Sequence, residues 1–286
     1  MTSRTALVTG ANQGLGRALV EGLAARLEPT DRVLLTGRDP ARVQAAAAAM
    51  PAGGARVEAR VLDVRDPAAI AALAAELGEV DIVFSNATSR MAPEDDPAEQ
   101  VDAVAQTNNR ATVAVLRAFA PRLRPGGRLF VVASALGTLD KLDERVRPRF
   151  ASAAASLDAV EELTAQWCAA VHTGQAERDG FGTWLNIPSK VLQVAAVRAV
   201  ARERRADDLA AGRLVAALCP GLIDTDASRP WFADMSQAQT PAQAAAWPVE
   251  AALAAAVDPA FYGELVQFGR VVPWTTGMPV PHRATA

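Results

Sequence analysis

Near its start the chain reads Thr5-Ala-Leu-Val-Thr9-Gly10-Ala11-Asn12-Gln13-Gly14-Leu15-Gly16-Arg17-Ala18-Leu19-Val20. An apolar, β-type segment breaks here into three glycines and then resumes with helical periodicity. Glycine permits positive φ and close approach of the backbone to a ligand, and a helix that begins near Gly14 directs free N–H groups and the positive end of its dipole at an anion. We interpret the segment as a phosphate-binding turn, most simply for the pyrophosphate of a dinucleotide, although tight strand-to-helix turns without a ligand also use glycine.

Short β-type segments alternate with helical ones along the rest of the chain. The predicted strands cover 6–9, 32–36, 55–62, 80–85, 127–134, 214–219 and 264–268, and the helices between them include 16–27, 41–50, 67–77, 102–123 and 189–208. This order predicts a single α/β domain over residues 1–286, with a doubly wound parallel seven-stranded sheet and helices on both faces. Ligands bind such sheets at the carboxyl ends of the strands, so the residues that follow each strand are the candidate site residues.

Composition restricts the classes of partner. The chain has 286 residues, 50% of them hydrophobic, and a net charge of −3 with mixed signs, which favours neither nucleic acid nor an anionic membrane surface. No apolar segment approaches the roughly 20 residues of a membrane span, and the first strand begins too early for a signal peptide. Cys168 and Cys219 are too few for a disulfide framework and indicate no metal site. We expect a cytoplasmic protein with no nucleic-acid, membrane or metal partner.

The residues after the second strand bear on the choice of dinucleotide. Thr36-Gly-Arg38-Asp-Pro40 has no carboxylate where an acid would bind a ribose 2′-OH, and Arg38 follows one step later. A guanidinium suits a 2′-phosphate through bidentate, charge-assisted hydrogen bonds. Arg38 therefore favours NADP over NAD, although a solvated loop arginine is the ordinary alternative.

Together these motifs resemble those of the short-chain dehydrogenase/reductase family over nearly the whole chain. Residues 9–16 resemble its TGxxxGxG motif, Asp63-Val64 its adenine contact and Ser85-Asn86-Ala87 its NNAG motif. Asn108 in the fourth helix, Ser134 after the fifth strand and Pro220-Gly221-Leu-Ile-Asp-Thr225 after the sixth continue the order. Two positions depart from the pattern: Thr88 replaces the last glycine of NNAG, and Gln13 replaces a basic residue of many NADP-preferring members.

The resemblance implies a Rossmann fold that binds NADP(H) in preference to NAD(H). The implied cofactor contacts are Gly10, Asn12, Gln13, Gly14, Leu15, Gly16, Arg38, Asp63, Val64, Asn86, Ala87, Lys190, Pro220, Gly221, Ile223 and Thr225.

The resemblance also implies carbonyl chemistry, in which the nicotinamide supplies a hydride and the tyrosine of Tyr-x-x-x-Lys a proton. Ser134 would hold the carbonyl oxygen, Asn108 a relay water, and Lys190, one of only two lysines, would assist the tyrosine and hold the ribose. The tyrosine position is occupied by Asn186, whose amide can donate a hydrogen bond but does not titrate. Loss of a positioned general acid typically costs about 10²- to 10⁴-fold in rate. The sole tyrosine, Tyr262, is predicted to have a packing or interfacial role.

Several groups could replace the missing acid. We expect the proton to come first of all from Lys190 with a lowered pKa, or from water held by Asn108. His172 and Asp140 are titratable candidates from the segment before Asn186, and a substrate could also supply its own proton.

Ser134 and Asn186 are 52 positions apart, far more than the family pattern needs. The intervening 138–185 therefore form an insertion, with helical periodicity over 151–171. This arrangement resembles the monomeric carbonyl reductase branch, in which an added helix covers the face that other members use to form tetramers. We expect a monomer.

The substrate is predicted to be a hydrophobic or aromatic small molecule, contacted by Leu136, Trp184, Trp231 and Phe232, although these side chains often simply pack. Three functions remain open. The first is an NADPH-dependent carbonyl reductase with an altered proton relay. The second is a redox-neutral cyclase, dehydratase or isomerase that uses Ser134 and Asn186 as an oxyanion site. The third is a catalytically inactive NADP(H)-binding homologue, which the retention of Asn108, Ser134 and Lys190 disfavours.

Overall fold

The structure, a computed structural model, describes residues 3–277. Its strands are β1 (Thr5–Val8), β2 (Arg32–Gly37), β3 (Arg56–Val61), β4 (Val80–Ser85), β5 (Leu123–Val132), β6 (Leu214–Leu218), β7 (Leu265–Gln267) and β8 (Arg270–Val272). Its α-helices are α1 (Gly14–Ala24), α2 (Pro40–Ala48), α3 (Pro67–Leu77), α4 (Pro97–Val104), α5 (Ala111–Phe119), α6 (Arg147–Ala153), α7 (Leu157–His172), α8 (Asn186–Ala210) and α9 (Pro241–Leu253).

The strands form one sheet in the order β3-β2-β1-β4-β5-β6-β7-β8, and the pairs from β3 to β7 are parallel. The predicted doubly wound α/β fold is thereby confirmed. The order in which strands are added to the sheet reverses between β1 and β4, and in such folds the carboxyl ends of the two strands border a ligand-binding crevice. The predicted site residues that follow β1, β4, β5 and β6 consequently lie along one edge of the sheet.

The sheet has one strand more than the predicted seven. The last strand, β8, pairs antiparallel with β7, and the two are joined by Phe268 (φ 49°) and Gly269 (φ 74°). A two-residue hairpin turn of this kind requires positive φ at both central residues, and phenylalanine rarely adopts it. The predicted strand 264–268 is therefore one residue too long at Phe268, and β8 follows it without having been predicted.

The predicted fourth helix is interrupted by a π-helical turn. It begins at Pro97, because the Asp96 side chain accepts the N–H of Ala98 and caps it. Residues Ala105–Arg110 then form the π-helical turn between α4 and α5. Such turns insert one extra residue and occur frequently at functional sites.

Two helices occupy the insertion at 138–185. The predicted helix at 151–171 is split, because α7 starts at Leu157, where the Ser156 side chain accepts the N–H of Ala159 and provides a new N-cap. Both α6 and α7 pack on α8, and α7 also contacts α4 and the π-helical turn. The fully buried Trp167 anchors α7 in the core.

Tyr262 is fully buried, and its hydroxyl donates to Asp208 Oδ2 near the far end of α8. This agrees with the packing role predicted for it. Among residues 3–277 no helix has the length and apolarity needed to cross a bilayer, and no group of three potential metal ligands occurs.

Candidate active site

The glycine turn is fixed to the end of β4 by reciprocal hydrogen bonds. The Asn86 side-chain amide donates to the carbonyls of Thr9 (2.9 Å) and Gly10 (3.2 Å), and the Thr9 hydroxyl accepts the backbone N–H groups of Asn86 and Ala87. A Cβ added at Gly10 (φ 63°) would lie 2.7 Å from the Ala87 Cα. The structure thus joins the two motifs through the Asn86 side chain and the Thr9 hydroxyl.

The second and third glycines have different structural roles. A Cβ at Gly16 would lie 2.4 Å from the Gly10 carbonyl oxygen, so the turn closes against the start of α1. A Cβ built at Gly14 (φ 56°) would instead meet no atom closer than Thr225 Cγ2, at an uncrowded 3.7 Å. Leu15 is buried and can offer a ligand only its backbone.

Helix α1 starts without a side-chain cap. Asp39, Asp66 and Asp96 cap α2, α3 and α4, whereas the residue preceding α1, Gln13, has extended backbone and makes no capping hydrogen bond. First-turn N–H groups of α1 therefore remain available to an external acceptor. An uncapped helix start beside an open glycine fits a bound pyrophosphate.

Two arginines lie near the end of β2, whereas the sequence analysis considered one. Arg38 is exposed and makes no hydrogen bond within residues 3–277. Arg42, on the first turn of α2, donates to the Gln13 side chain and so reaches back to the glycine turn. Arg42 was not among the predicted cofactor contacts, although its position four residues after Arg38, on the first turn of a predicted helix, could have indicated it. Asn12 lies beside this group, with its Oδ1 3.1 Å from a Cβ built at Gly37.

Asp63 is held by a neighbour that the sequence analysis did not consider. Arg65 donates to both carboxylate oxygens, with a shortest distance of 2.6 Å, and its backbone N–H donates to Asp63 Oδ1 at 3.0 Å. These hydrogen bonds with Arg65 lower the pKa of Asp63, and Arg38 acts in the same direction. Asp63 is therefore a fixed anion after β3, and Val64 beside it is buried.

The segment after β6 folds back over the glycine turn. Gln239 holds it by donating from its side chain to the Pro220 carbonyl (3.1 Å), and Ile223 pairs with Gln239 in a short β-bridge. Gly221 has φ 83°, and the Thr225 hydroxyl is bonded to Ser228 Oγ at 3.1 Å. Gln239 was not identified from the sequence, because nothing local connects it to a motif 19 residues away.

Ser134 lies directly after β5 and caps the 3₁₀ turn Ala135–Gly137. Its Oγ accepts the backbone N–H of Leu136 at 3.2 Å, which leaves its own proton for another acceptor. The turn packs tightly on α8, since a Cβ at Gly137 would lie 3.0 Å from the Lys190 carbonyl oxygen. The Cys219 thiol accepts the N–H of Ala135 at 3.1 Å, and burial raises its pKa.

Asn108 is fully buried in the π-helical turn, and its side chain is satisfied by protein groups. Its amide donates to Ser189 Oγ (3.1 Å), and its Oδ1 accepts from the Thr88 hydroxyl (3.1 Å) and the Ser89 N–H (2.9 Å). Thr88, which departs from the family motif, thus connects the loop after β4 to the π-helical turn. The neighbouring Asn109 donates to the Ser189 carbonyl at 2.8 Å.

Lys190 is buried, with 9% of its surface exposed. Its Nζ donates to Gln193 Oε1 at 2.8 Å and to the Val132 carbonyl at 3.4 Å. Burial lowers the pKa of Lys190 to about 8, and the adjacent Cys219 acts weakly in the opposite direction. An ammonium has three donors, so one N–H remains for a group that enters the site.

Asn186 opens α8 one helical turn before Lys190, which places the two side chains on the same face. Asn186 is half-buried, and its side chain makes no hydrogen bond in the described part of the chain. The two alternative acids are engaged elsewhere: His172 pairs with Asp102 on α4 at 3.1 Å, and Asp140 pairs with Lys141 at 2.6 Å.

Two of the aromatic residues predicted to contact substrate stack on each other. Trp184 and Trp231 stack with ring centroids 5.8 Å apart, and the Trp231 indole donates to the Met91 carbonyl at 3.3 Å. Phe232 is half-buried next to them, whereas Leu136 is buried in the turn after Ser134. The stacked pair connects the end of the insertion with the segment after β6.

Comparison with known proteins gave consistent matches. The model of the short chain dehydrogenase family matches residues 4–173. Carbonyl reductase (NADPH) 3 of Rattus norvegicus is 31% identical over 242 residues, which cover 79% of this chain and 84% of that protein. Carbonyl reductase (NADPH) 1 of Sus scrofa is 29% identical over 281 residues, covering 95% and 94%. Salutaridine reductase from Papaver somniferum has a similar structure, with a TM-score of 0.76, 21% identity and coverage of 92% and 99%.

Proposed function

Because the chain belongs to the short chain dehydrogenase family, we propose that it is an NADPH-dependent reductase of a carbonyl group in a hydrophobic small molecule. The observation that carries this proposal is the buried Lys190, one turn after Asn186, on a helix that packs against the turn of Ser134. A lysine kept in an apolar site at the edge of a parallel sheet is suited to acid–base chemistry.

Residues at three strand ends would hold the dinucleotide. The uncapped start of α1 and the open Gly14 suit its pyrophosphate, and Arg38 and Arg42 suit a 2′-phosphate. Asp63-Val64, Ala87 and the segment 220–225 would border the remaining parts. When bound, NADPH would supply the hydride.

Ser134 and Asn186 would bind the carbonyl oxygen of the substrate. The Ser134 hydroxyl retains its proton, because its oxygen accepts the Leu136 N–H. The Asn186 amide can donate a second hydrogen bond and stabilise the negative charge that develops on the oxygen. Trp184 and Trp231 exclude water from this position and favour an apolar substrate.

Lys190 would supply the proton that tyrosine provides in the family pattern. Its third N–H is unoccupied within residues 3–277, and burial lowers its pKa to about 8, close to the pH at which an acid transfers protons efficiently. Asn108 would act as a positioning residue, because its side chain is hydrogen-bonded to Ser189, Thr88 and Ser89.

The proposed function is tested by following NADPH oxidation with a panel of quinones and aromatic ketones. The expected result is turnover with at least one carbonyl substrate and release of the alcohol. Tight binding of NADPH without oxidation by any carbonyl would contradict the reductase proposal and favour a redox-neutral or inactive member. Failure of both NADPH and NADH to bind at millimolar concentration would contradict a dinucleotide-dependent function altogether.

Arginine-to-glutamine changes at positions 38 and 42 are expected to weaken NADPH binding by about 10- to 100-fold each, because each removes a charge-assisted hydrogen bond to the 2′-phosphate. Binding of NADH, which lacks this phosphate, should change less than about twofold. Cofactor fluorescence titration measures both constants. Arg178→Gln, which removes an exposed arginine of the insertion, is the matched control. Equal losses for NADH and NADPH would contradict the assignment.

We also propose that the protein is a monomer, because α6 and α7 of its own insertion cover the outer face of α8. Light scattering at micromolar concentration should give a mass near 29.9 kDa. A mass of about twice this value, stable on dilution, would contradict the proposal.

A further inference from the structure

A chain of buried hydrogen bonds leads from Lys190 to the π-helical turn. Lys190 Nζ donates to Gln193 Oε1 (2.8 Å), the Gln193 amide donates to the Thr112 hydroxyl (3.2 Å), and this hydroxyl donates to the Asn108 carbonyl (2.6 Å). Gln193 and Thr112 are each 2% exposed. Polar groups are costly to bury without partners, and in this network each oxygen accepts a hydrogen bond from the preceding group.

All three hydrogen bonds of this network run in the same direction, with the donor on the side of Lys190 and the acceptor on the side of Asn108. The Asn108 carbonyl accepts from Thr112, the Thr112 oxygen accepts from Gln193, and the Gln193 oxygen accepts from the ammonium. Each link polarises the next, so the Gln193 oxygen is a stronger acceptor than an isolated amide. The arrangement stabilises a charged Lys190, whereas a neutral amine would leave the Gln193 oxygen with a weaker donor.

We propose that Gln193, supported by Thr112, is a positioning residue that keeps Lys190 protonated and fixes the direction of its ammonium group. Burial opposes the charge of Lys190, and the Gln193–Thr112–Asn108 chain opposes the effect of burial. Within residues 3–277 the titratable group that faces Lys190 from the packed elements is the Cys219 thiol after β6, whose own pKa is raised by burial. From β5 only the Val132 carbonyl reaches Nζ.

For catalysis, this gives Lys190 two fixed acceptors and one free N–H. The proton that leaves for the substrate would come from this N–H, while the Gln193 and Val132 oxygens hold the remaining two in place. This kinetic consequence rests on the proposed function, whereas the ionisation of Lys190 does not.

The experiment is an NMR titration of the protein labelled at lysine Cε and Nζ. The chain has only two lysines, so Lys141→Arg assigns the Lys190 signal, and in the other spectra Lys141 serves as an internal control. Gln193→Met, close in volume but without the acceptor, should lower the midpoint of the Lys190 titration by about one to two pH units. Thr112→Val should lower it less. Gln193→Glu should raise it, because a carboxylate favours the charged amine.

Unchanged Lys190 midpoints in Gln193→Met and Gln193→Glu, or shifts in the same direction, would overturn the proposal. If Gln193→Met does not fold, the shifts in Thr112→Val and Gln193→Glu decide between the same outcomes. These measurements use the protein without substrate, so a failure of the reductase proposal would leave them interpretable.

Discussion

Replacement of Asn186 by tyrosine is expected to raise the rate of NADPH-dependent carbonyl reduction by about 10²- to 10⁴-fold, the usual contribution of a positioned general acid. The new hydroxyl would lie one helical turn before Lys190, whose positive charge lowers the pKa of a neighbouring phenol. The half-buried position at the start of α8 borders the aromatic pair Trp184 and Trp231. The measurement is kcat/KM with the carbonyl substrate that the native protein turns over best, or with the full panel if none is found.

Asn186→Phe is the matched control, because it adds the same ring without the hydroxyl. We expect Asn186→Phe to fall to or below the native rate while it still binds NADPH. An equal gain in both variants would indicate that ring packing rather than proton transfer limits the reaction. A rate for Asn186→Tyr no higher than the native rate would mean that the existing relay already matches a tyrosine.

Replacement of Lys190 by arginine is expected to reduce native carbonyl reduction by about 10²- to 10⁴-fold. Arginine keeps the positive charge, but its guanidinium does not release a proton in this pH range. The same substitution at the other lysine, Lys141→Arg, should leave the rate within about twofold, since Lys141 pairs with Asp140 on the 3₁₀ turn Leu139–Lys141. Steady-state kcat/KM and NADPH binding are measured for both variants.

The pH dependence of kcat/KM for the native protein shows whether Lys190 acts in its charged or its neutral form. The acid must be protonated, and the pKa of Lys190 is about 8, so kcat/KM should be constant below pH 8 and fall about tenfold per pH unit above it. A rate that rises through pH 8 would require a neutral amine and would contradict Lys190 as the acid. A Lys190→Arg variant that retains the native rate would assign the proton to water or to the substrate itself.

The sequence was sufficient for those parts of the site that depend on local chemistry. The glycines at 10, 14 and 16 define the turn between the first strand and the first helix, because a Cβ at Gly10 or Gly16 would clash with neighbouring backbone atoms. The absence of tyrosine at position 186 is likewise readable once the family's Tyr-x-x-x-Lys pattern is aligned on Lys190.

The remaining parts depend on contacts between distant positions. Gln193 and Thr112 are 81 residues apart, and neither belongs to a motif. The π-helical turn, Ala105–Arg110, contains no glycine or proline that would mark a break, so its sequence predicts a continuous helix. The strand β8 was missed because three residues carry too little alternation to indicate a strand.

The π-helical turn also limits how the chain can vary in length. Each residue added to or removed from an α-helix rotates everything beyond it by about 100°. Deletion of one residue within Ala105–Arg110 would therefore restore an unbroken helix but rotate Thr112 away from Gln193. Insertion of one residue would rotate Thr112 away from Gln193 in the opposite direction. Homologues that preserve this network should differ in this segment by substitution and not by gaps, so a gap here in an alignment marks a protein whose lysine is held by other means.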